Sequence, residues 1–196
     1  PESLKPTFEF YQGQNITLKI IIDGKELRRS YSICSAPFEN ELRVAVKKVD
    51  GGKFSAYMNN NVQKGDVLLV MPPTGKFNTT LETENKKQYV AFAAGSGITP
   101  IISIIKTTLK REAGSCFTLV YSNRNRNSII FFEELEGLKN KYLQRFNFIY
   151  LLSREKTDVP INSGRITAEK LQALCILIDY KKTDDFFICG PEEMIF

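Results

Sequence analysis

The sequence contains no histidine among its 196 residues. This absence excludes histidine-based metal sites, haem ligation by histidine and Ser–His catalytic triads. The four cysteines, Cys34, Cys116, Cys175 and Cys189, stand far apart, and none forms a C-x-x-C pair. An iron–sulfur cluster needs closely spaced cysteines. We therefore predict no metal site in this chain, so that any redox chemistry must come from an organic cofactor.

Long apolar runs are also missing, since no stretch approaches the roughly 20 uninterrupted apolar residues of a membrane-spanning helix. Residues 1–6 lack the basic start and apolar core of a signal peptide. With unpaired cysteines, these features predict reduced thiols, a cytoplasmic location and no membrane partner. The net charge of +5 is spread over scattered doublets such as Arg28-Arg29, so no nucleic-acid partner is expected. A positive field would also suit a phosphate-bearing cofactor or an acidic protein partner.

Up to about Phe77 the chain shows short alternating runs of apolar and polar residues, separated by glycine-containing turns. Residues 16–20, 42–46 and 67–70 are predicted to be strands. Many short strands with few helices predict a small antiparallel barrel. Residues 78–87 are polar and charged with no buried period, and are expected to form a linker or an exposed hairpin.

From about residue 88 the pattern alternates between apolar strands and amphipathic helices. Four strands are predicted, at residues 89–94, 116–121, 146–151 and 186–189. Three helices are indicated between them by apolar side chains at helical spacing, namely Ile98, Ile101, Ile102, Ile105 and Leu109; Phe131, Leu135, Leu138 and Tyr142; and Leu171, Leu174, Cys175 and Ile178. Such alternation predicts a parallel sheet with helices on its faces.

A glycine-containing turn, residues 94–100, lies between the first of these strands and the first helix. Gly95 and Gly97 would let the backbone turn tightly and approach a diphosphate, while the helix presents free N–H groups and a positive dipole end. Nucleotides bind at the carboxyl end of such a strand in an open parallel sheet. A plain strand–helix turn is the alternative interpretation. Pro100 stands where the usual dinucleotide fingerprint has its third glycine, so this is not an ordinary Rossmann site.

A second candidate segment, residues 29–32, ends a predicted strand. The side chain of Arg29 can pair with a phosphate, the ring of Tyr31 can stack on a flat ring, and the hydroxyl of Ser32 can hydrogen-bond a ring heteroatom. Taken alone, an edge strand with an exposed arginine and a half-buried tyrosine is the simpler interpretation.

Two further segments carry residues suited to a cofactor. Gly52, Lys53 and Ser55 open a short predicted helix, where glycine, free N–H groups and a hydroxyl form a second anion cradle. An ordinary capped turn explains that segment equally well. Cys189 follows the fourth strand and precedes a Gly-Pro turn, so that a small polarisable thiol could face a reacting ring. The alternative is a buried structural cysteine.

In this order the four segments resemble the ferredoxin–NADP reductase superfamily. The resemblance covers nearly the whole chain and implies two domains, an FAD-binding antiparallel β-barrel followed by an α/β parallel-sheet domain that binds the nicotinamide nucleotide. It implies that Arg29 contacts the flavin phosphate, Tyr31 stacks on the flavin and Ser32 contacts flavin N5.

The other segments match family elements as well. The G-x-x-S element, at Gly52 and Ser55, implies binding of the FAD diphosphate, while G-x-G-x-x-P and C-G-P imply residues around the nicotinamide. The implied catalytic positions are Ser32, Thr99 and Cys189. The implied cofactor-binding residues are Arg29, Tyr31, Ser32, Gly52, Lys53, Ser55, Gly95, Gly97, Thr99, Pro100, Cys189, Gly190 and Pro191.

Residues 121–126 and the following Ile-Ile-Phe-Phe-Glu-Glu-Leu are most similar to the reductase components of phenylacetyl-CoA oxygenases. This similarity implies a barrel at residues 1–80 with its first strand missing and a nucleotide domain at residues 88–196 with its end truncated. It also implies a [2Fe–2S] centre in a domain outside this chain. Electrons would pass from NAD(P)H through FAD to an iron–sulfur domain or ferredoxin and then to an oxygenase component of aromatic degradation.

The choice between NADPH and NADH depends on the end of the second parallel strand. An acidic residue there would accept the ribose 2′-OH and repel a 2′-phosphate. No acidic residue occurs between the end of this strand at Tyr121 and Glu133. Arg124 and Arg126 stand there instead. Their charge favours NADPH, although two solvated loop arginines are the alternative.

Three other functions remain open from the sequence. The chain resembles the reductase part of a flavohaemoglobin-like nitric oxide dioxygenase, which a globin-type sequence before Pro1 would support. It is also compatible with a non-catalytic flavin subunit that carries electrons for a partner enzyme. A basic surface domain that binds nucleic acid has the least support.

Overall fold

An antiparallel sheet forms the first part of the computed structural model, which describes residues 2–196. Strand β1 (Asn15–Ile22) pairs along its full length with β2 (Lys25–Ser32). Helix α1 (Lys53–Asn60) follows, and β3 (Leu69–Val70) pairs with the other edge of β1. Apolar side chains alternate along β1, so one face of the strand is apolar. That face is buried and packs with Phe54 of α1.

Two of the predicted strands are largely irregular. Residues 42–46 contribute only one bridge, between Ile33 and Val44, because side chains replace the expected ladder bonds: the N–H of Arg43 donates to the Ser35 hydroxyl. Residues 67–70 form a strand only at their end. The antiparallel pairing stops after Met71, since Pro72 and Pro73 have no N–H to donate, and it resumes one residue out of register between Asn15 and Thr74.

A four-stranded parallel sheet forms the second part, in the order β6-β5-β4-β7. Its strands are β4 (Gln88–Ala94), β5 (Cys116–Asn123), β6 (Phe146–Leu152) and β7 (Asp185–Cys189). The helices are α2 (Ile98–Arg111), α3 (Phe132–Lys141), α4 (Ala168–Leu174) and α5 (Glu192–Ile195). Short 3₁₀ helices occur at Glu2–Phe8, Pro37–Glu39, Gly95–Gly97, Arg126–Ser128, Pro160–Asn162 and Tyr180–Lys182.

Helices cover both faces of the parallel sheet. One face packs against α2 and α3 through side chains that include Ile101, Ile105 and Leu135, and the other packs against α4 through Leu174. Helix α4, the third of the helices predicted for this domain, is shorter than the apolar spacing predicts: it ends at Leu174, and Cys175 is exposed. The two-domain fold predicted from the sequence, antiparallel first and parallel second, is confirmed.

Residues 78–87 join the two domains as an irregular segment and do not form a hairpin. The segment is not wholly exposed, because the side chain of Leu81 is buried. The buried carboxylate of Glu112 accepts hydrogen bonds from the backbone N–H of Glu82 and the side chains of Asn85 and Tyr89, at 2.7–3.0 Å. The linker is therefore anchored to the second domain. The predicted barrel domain of residues 1–80 starts at Pro1, which lies outside the described residues.

Helix α2 lies between the parallel sheet and the first domain. All its residues from Ile98 to Leu109 are buried, including the polar Ser103 and Lys106. The amphipathic pattern alone identifies only the face that packs on the sheet. Within residues 2–196, no helix is long and apolar enough to cross a bilayer, and no cluster of cysteine and acidic side chains is suited to a metal ion.

Candidate functional site

A cleft of about 1320 Å³ lies between the two domains. The first domain contributes the end of β2 and the amino end of α1, and the second contributes the carboxyl ends of β4, β5 and β7. Tyr31 and Gly97 both line it. The segments identified from the sequence therefore face a common space, as a shared flavin and nicotinamide site requires.

Residues 29–32 occupy the end of β2, with Arg29, Tyr31 and Ser32 lining the cleft. The ring of Tyr31 packs 5.9 Å from the ring of Phe54, which brings this segment against α1. Burial raises the pKa of Tyr31, although the charge of Arg29 opposes the shift, so the phenol is neutral at pH 7. Within residues 2–196, the Ser32 hydroxyl has no hydrogen-bond partner, and it is free to bind a ligand.

The amino end of α1 forms the second part of this wall. Gly52 is the N-cap, and the Ser55 hydroxyl accepts from the N–H of Val49 at 3.1 Å and donates to the carbonyl of Gly52 at 3.2 Å. These bonds use the hydroxyl to close the turn, while Ser55 also lines the cleft, so its place in an anion cradle stays a prediction. The first N–H groups of α1 and the exposed Lys53 supply the positive charge at this position.

The turn between β4 and α2 forms the opposite wall. Gly95 has φ +54°, and its carbonyl accepts a hydrogen bond of 2.8 Å from the Tyr121 hydroxyl at the end of β5. Burial raises the pKa of Tyr121 to about 12, so the hydroxyl remains a donor at neutral pH. Gly97 packs directly on the chain at Cys189, where a Cβ would collide with the carbonyl group. Two of the predicted segments are thus in backbone contact, and Gly97 is required by space rather than by φ.

Thr99 and Cys189 lie close to this turn. The Thr99 hydroxyl donates to the carbonyl of Ser96 at 2.9 Å, so it stabilises the first turn of α2 and keeps its lone pairs as acceptors. Cys189 is half-buried, and burial raises the pKa of its thiol, which is therefore neutral at pH 7. Pro100, Gly190 and Pro191 complete this wall.

The two arginines predicted to select NADPH lie in different places. Arg124 lines the cleft, whereas Arg126 does not. The guanidinium of Arg126 lies over the rings of Phe132 and Tyr150, at 5.2 and 5.6 Å, and donates to the Tyr150 hydroxyl. The structure therefore brings Arg124 and not Arg126 into the cleft lining, and a contact of either side chain with the nucleotide stays a prediction.

Several cleft residues escaped the sequence analysis. Arg165 reaches the cleft because residues 163–164 bond alongside the end of β6, with the N–H of Gly164 donating to the carbonyl of Leu152 at 2.8 Å. Asn123 is buried at the cleft, and its amide nitrogen has no well-formed hydrogen bond within residues 2–196. The rule that ligands bind at the carboxyl ends of parallel strands could have identified Asn123, whereas Arg165 is placed by a tertiary pairing that no local pattern shows. The other missed polar lining residues include Lys47, Lys48, Ser122, Ser128 and Ser153.

Positive charge dominates the cleft. The cationic lining residues are Arg29, Lys47, Lys48, Lys53, Arg124 and Arg165, and the anionic ones are Asp50 and Glu193. The N-termini of α1 and of the Gly95–Gly97 turn, with their positive dipole ends, lie on the two walls. Between them are the ring of Tyr31, the hydroxyls of Ser32 and Thr99, and the neutral thiol of Cys189. This arrangement can hold two phosphate-bearing ligands with their flat rings together.

Family comparisons agree with this division of the chain. An oxidoreductase FAD-binding domain matches residues 2–79, and an oxidoreductase NAD-binding domain matches residues 92–196. The chain is 45% identical over 196 residues to a subunit of the 1,2-phenylacetyl-CoA epoxidase of Escherichia coli (strain K12), covering 100% of this chain and 55% of that protein.

Other relatives have the same organisation. The chain is 35% identical over 193 residues to the ferredoxin reductase component of 3-ketosteroid-9-alpha-monooxygenase of Rhodococcus rhodochrous, covering 97% of this chain and 51% of that protein. A ferredoxin NADP+ reductase from Neisseria gonorrhoeae, solved with bound FAD and NADP, has a TM-score of 0.77 and 25% identity, covering 96% of this chain and 77% of that one. The chain thus spans about half the length of the two curated relatives, the epoxidase subunit and the monooxygenase component.

Proposed function

Since this chain belongs to the family of FAD- and NAD-binding oxidoreductases with a ferredoxin–NADP reductase-like fold, we propose that it transfers reducing equivalents from NAD(P)H to FAD as the reductase part of an oxygenase system. The observation that carries the proposal is the shared cleft, in which Tyr31 and Gly97 lie on opposite walls. FAD and NAD(P)H supply the redox chemistry when bound, a hydride passing from nicotinamide C4 to flavin N5.

The first domain provides groups that fit FAD. Arg29 and Lys53 offer charge to phosphates, and the first N–H groups of α1 add an uncharged anion site. The half-buried ring of Tyr31, fixed by Phe54, suits stacking on a flat ring. The free hydroxyl of Ser32 suits a hydrogen bond to a ring nitrogen.

The second domain provides groups that fit the nicotinamide nucleotide. The Gly95–Gly97 turn at the start of α2 presents backbone N–H groups toward a diphosphate. Thr99 and Cys189 would border the nicotinamide, with the turn formed by Gly190 and Pro191 beside them. No side chain has to act as a strong acid or base, and the neutral thiol of Cys189 agrees with a packing role. The protein's contribution is position and electrostatics.

We propose that electrons then pass to an iron–sulfur centre in another domain or in a ferredoxin, and from there to an oxygenase. Two relatives support this assignment by name, as a subunit of an epoxidase and a reductase component of a monooxygenase. The 45% identity to the first favours an aromatic acyl-CoA pathway over a nitric oxide dioxygenase. We also propose domain limits of residues 1–80 and 88–196, which the anchored linker and the two family matches support.

We propose NADPH as the favoured donor. Arg124 and Arg165 line the cleft beyond the ends of β5 and β6, where the adenosine end of the nucleotide would lie, and a 2′-phosphate would pair with such guanidinium groups. Arg124→Ala should lower the ratio of NADPH to NADH turnover by about tenfold. Arg126→Ala is the matched control, because Arg126 lies outside the cleft. Equal ratios in the wild type and Arg124→Ala would contradict the preference.

The proposed function is tested by the absorbance spectrum of the purified full-length protein, before and after anaerobic addition of NADPH. We expect a flavin spectrum that bleaches on addition, and a cluster signal if the iron–sulfur domain is part of the same chain. A flavin that binds but is not reduced by either nicotinamide nucleotide would favour the non-catalytic electron-transfer subunit. A protein without flavin after reconstitution with FAD would refute the proposal.

A further inference from the structure

An ion cluster around the buried Lys106 joins the two domains. It consists of Glu39 and Arg43 from the first domain, Lys106 from α2 and Glu134 from α3. The ammonium of Lys106 lies 2.7 and 3.0 Å from the two carboxylate oxygens of Glu39 and 3.1 Å from Glu134. The guanidinium of Arg43 lies 3.3 Å from Glu134 and 3.8 Å from Glu39. Glu41, 3.2 Å from Arg43, is the remaining charged group at its edge.

Lys106 is the most buried member, since only 5% of its side chain is exposed. Burying an ammonium is costly, and a methionine of similar size would fill the same space without a charge. Buried ion pairs are therefore weak evidence for stability. Their hydrogen bonds do have fixed directions, however, so the cluster specifies one arrangement of the three segments that meet there.

The cluster connects the elements that carry the two halves of the cofactor cleft. Residues 33–43 follow Ser32 directly, and the Ser103 hydroxyl of α2 donates to the carbonyl of Ser35 at 2.6 Å. Lys106 lies about one turn further along α2 and binds Glu39. The Glu39 oxygen that lies 2.7 Å from Lys106 also accepts a hydrogen bond from the N–H of Ala36 at 2.7 Å, which fixes the Glu39 carboxylate within the segment that follows β2.

We propose that Lys106 is a positioning residue, which through Glu39 and Glu134 fixes the distance between the strand at residues 29–32 and the turn at residues 95–97. This inference rests on the proposed function, since that distance sets how closely the two redox rings can approach. The cluster touches neither ring. Its effect is on the geometry of transfer, which is sensitive to displacements on the order of 1 Å.

The test compares Lys106→Met with Lys110→Met, an exposed lysine at the end of the same helix, in the FAD-loaded full-length protein. In Lys106→Met, flavin reduction by NADPH in a stopped-flow instrument should slow by about tenfold or more, because the rings are less well placed. The deuterium isotope effect on that step should become more temperature-dependent. FAD content and NADPH affinity should stay within about twofold of the wild type. Lys106→Arg should recover part of the rate, and Lys110→Met should change nothing.

A second readout does not depend on activity. Hydrogen exchange of residues 33–43 should increase in Lys106→Met and remain unchanged in Lys110→Met. If these exchange differences are found but the wild type does not reduce flavin, the proposed function fails while the interdomain role of Lys106 stands. A folded Lys106→Met protein with the wild-type transfer rate and isotope effect would overturn the positioning role. A parallel loss of FAD content and rate that Lys106→Arg does not recover would show a purely structural role.

Lys106→Met removes one of the two cations that pair with Glu39 and Glu134 and leaves both carboxylates to Arg43, and it could fail to fold for that reason. Glu134→Gln is the milder variant, because it keeps an oxygen acceptor for Lys106 and removes only the charge. Glu134→Gln should also slow flavin reduction, by a smaller factor than Lys106→Met does. It should raise hydrogen exchange in residues 33–43. An unchanged rate and unchanged exchange in Glu134→Gln would reject the proposal independently of the lysine variant.

Discussion

Gly97 leaves no space for a side chain, because a Cβ there would meet the carbonyl group of Cys189 and the nitrogen of Gly190. We predict that Gly97→Ala lowers the free energy of unfolding by about 1–3 kcal/mol, as overpacking usually does. It should also weaken nucleotide binding, since Cys189 must move. Urea denaturation and titration with NADP+ measure the two effects.

The matched control for this substitution is Gly137→Ala. Gly137 lies within α3, and a Cβ there has no heavy atom within 4 Å. Alanine should raise the free energy of unfolding by about 0.5–1 kcal/mol, because it restricts the unfolded chain more than glycine does. If both variants had equal stability, the packing of Gly97 on Cys189 would be refuted.

Tyr121 is a second residue whose role follows from one contact. Its hydroxyl donates to the carbonyl of Gly95 and so fixes the turn between β4 and α2, the proposed nucleotide site. We predict that Tyr121→Phe raises the dissociation constant of NADP+ by about fivefold, which corresponds to a net hydrogen bond of about 1 kcal/mol. FAD content should not change. Isothermal titration of the FAD-loaded protein measures the constant.

Tyr89→Phe provides the comparison for Tyr121→Phe. Both rings are buried, but the Tyr89 hydroxyl donates to Glu112 at 3.0 Å, at the amino end of β4 and away from the cleft. The variant should lose stability and keep its affinity for NADP+. A larger effect on NADP+ affinity in Tyr89→Phe than in Tyr121→Phe would contradict the assignment.

Among the secondary-structure elements, those of the parallel sheet could be predicted and those of the first domain only in part. All four strands carry apolar runs, so each can be predicted from the sequence within one or two residues, although the edge strand β7 leaves Phe186 and Ile188 exposed. Residues 42–46 alternate like a strand, but the Ser35 hydroxyl replaces a backbone partner there. Such a substitution depends on a tertiary contact and leaves no periodic pattern.

The short 3₁₀ helix Pro37–Glu39 ends in a carboxylate whose pKa is lowered by its surroundings. Burial raises the pKa of Glu39, but hydrogen bonds from Lys106 and the N–H of Ala36, together with the charges of Lys106 and Arg43, outweigh it, so the pKa lies below its ordinary value of 4.5. The stabilisation of the fold by ionised Glu39 is therefore fully present above about pH 4.5, and it is lost as the pH falls through the lowered pKa of Glu39.

We predict that Glu39→Gln is less stable than the wild type at pH 7 and that the difference shrinks below about pH 4.5. Denaturant unfolding at several pH values measures it. Glu26→Gln is the control, because the exposed Glu26 has a pKa lowered by hydrogen bonds from half-buried Lys19 and exposed Arg28. About 1 M salt should abolish the effect of Glu26 and leave most of that of Glu39. A pH-independent difference for Glu39→Gln would refute the prediction.

For the molecule as a whole, the sequence predicted which segments meet at the cleft but not what holds them there. Gly95, Gly97 and residues 29–32 are local motifs, whereas the bond between Ser103 and Ser35 joins positions that no local pattern relates. Arg126 shows the same limit from the other side. Its charge suggested a ligand contact, but its guanidinium packs on the rings of Phe132 and Tyr150, and the second of these lies 24 residues away in the sequence.

The excess of cations in the cleft affects the molecule at long range. Six cationic side chains face two carboxylates there, so an anionic nucleotide should be attracted before contact. We predict that the association rate constant of NADPH with the FAD-loaded full-length protein falls by about tenfold between roughly 0.01 and 0.15 M ionic strength. Stopped-flow mixing at several salt concentrations measures the slope.

Lys47 and Lys48 allow the origin of this attraction to be tested, because both are exposed at the cleft. Replacing both by glutamine should flatten the dependence of the association rate on salt and leave the rate of flavin reduction at saturating NADPH unchanged. Lys110 and Arg111 are the matched pair, exposed at the end of α2 that is far from the Gly95–Gly97 turn. Their replacement by glutamine alters the net charge equally. If the two double variants flattened the slope equally, net charge rather than the cleft would steer the nucleotide.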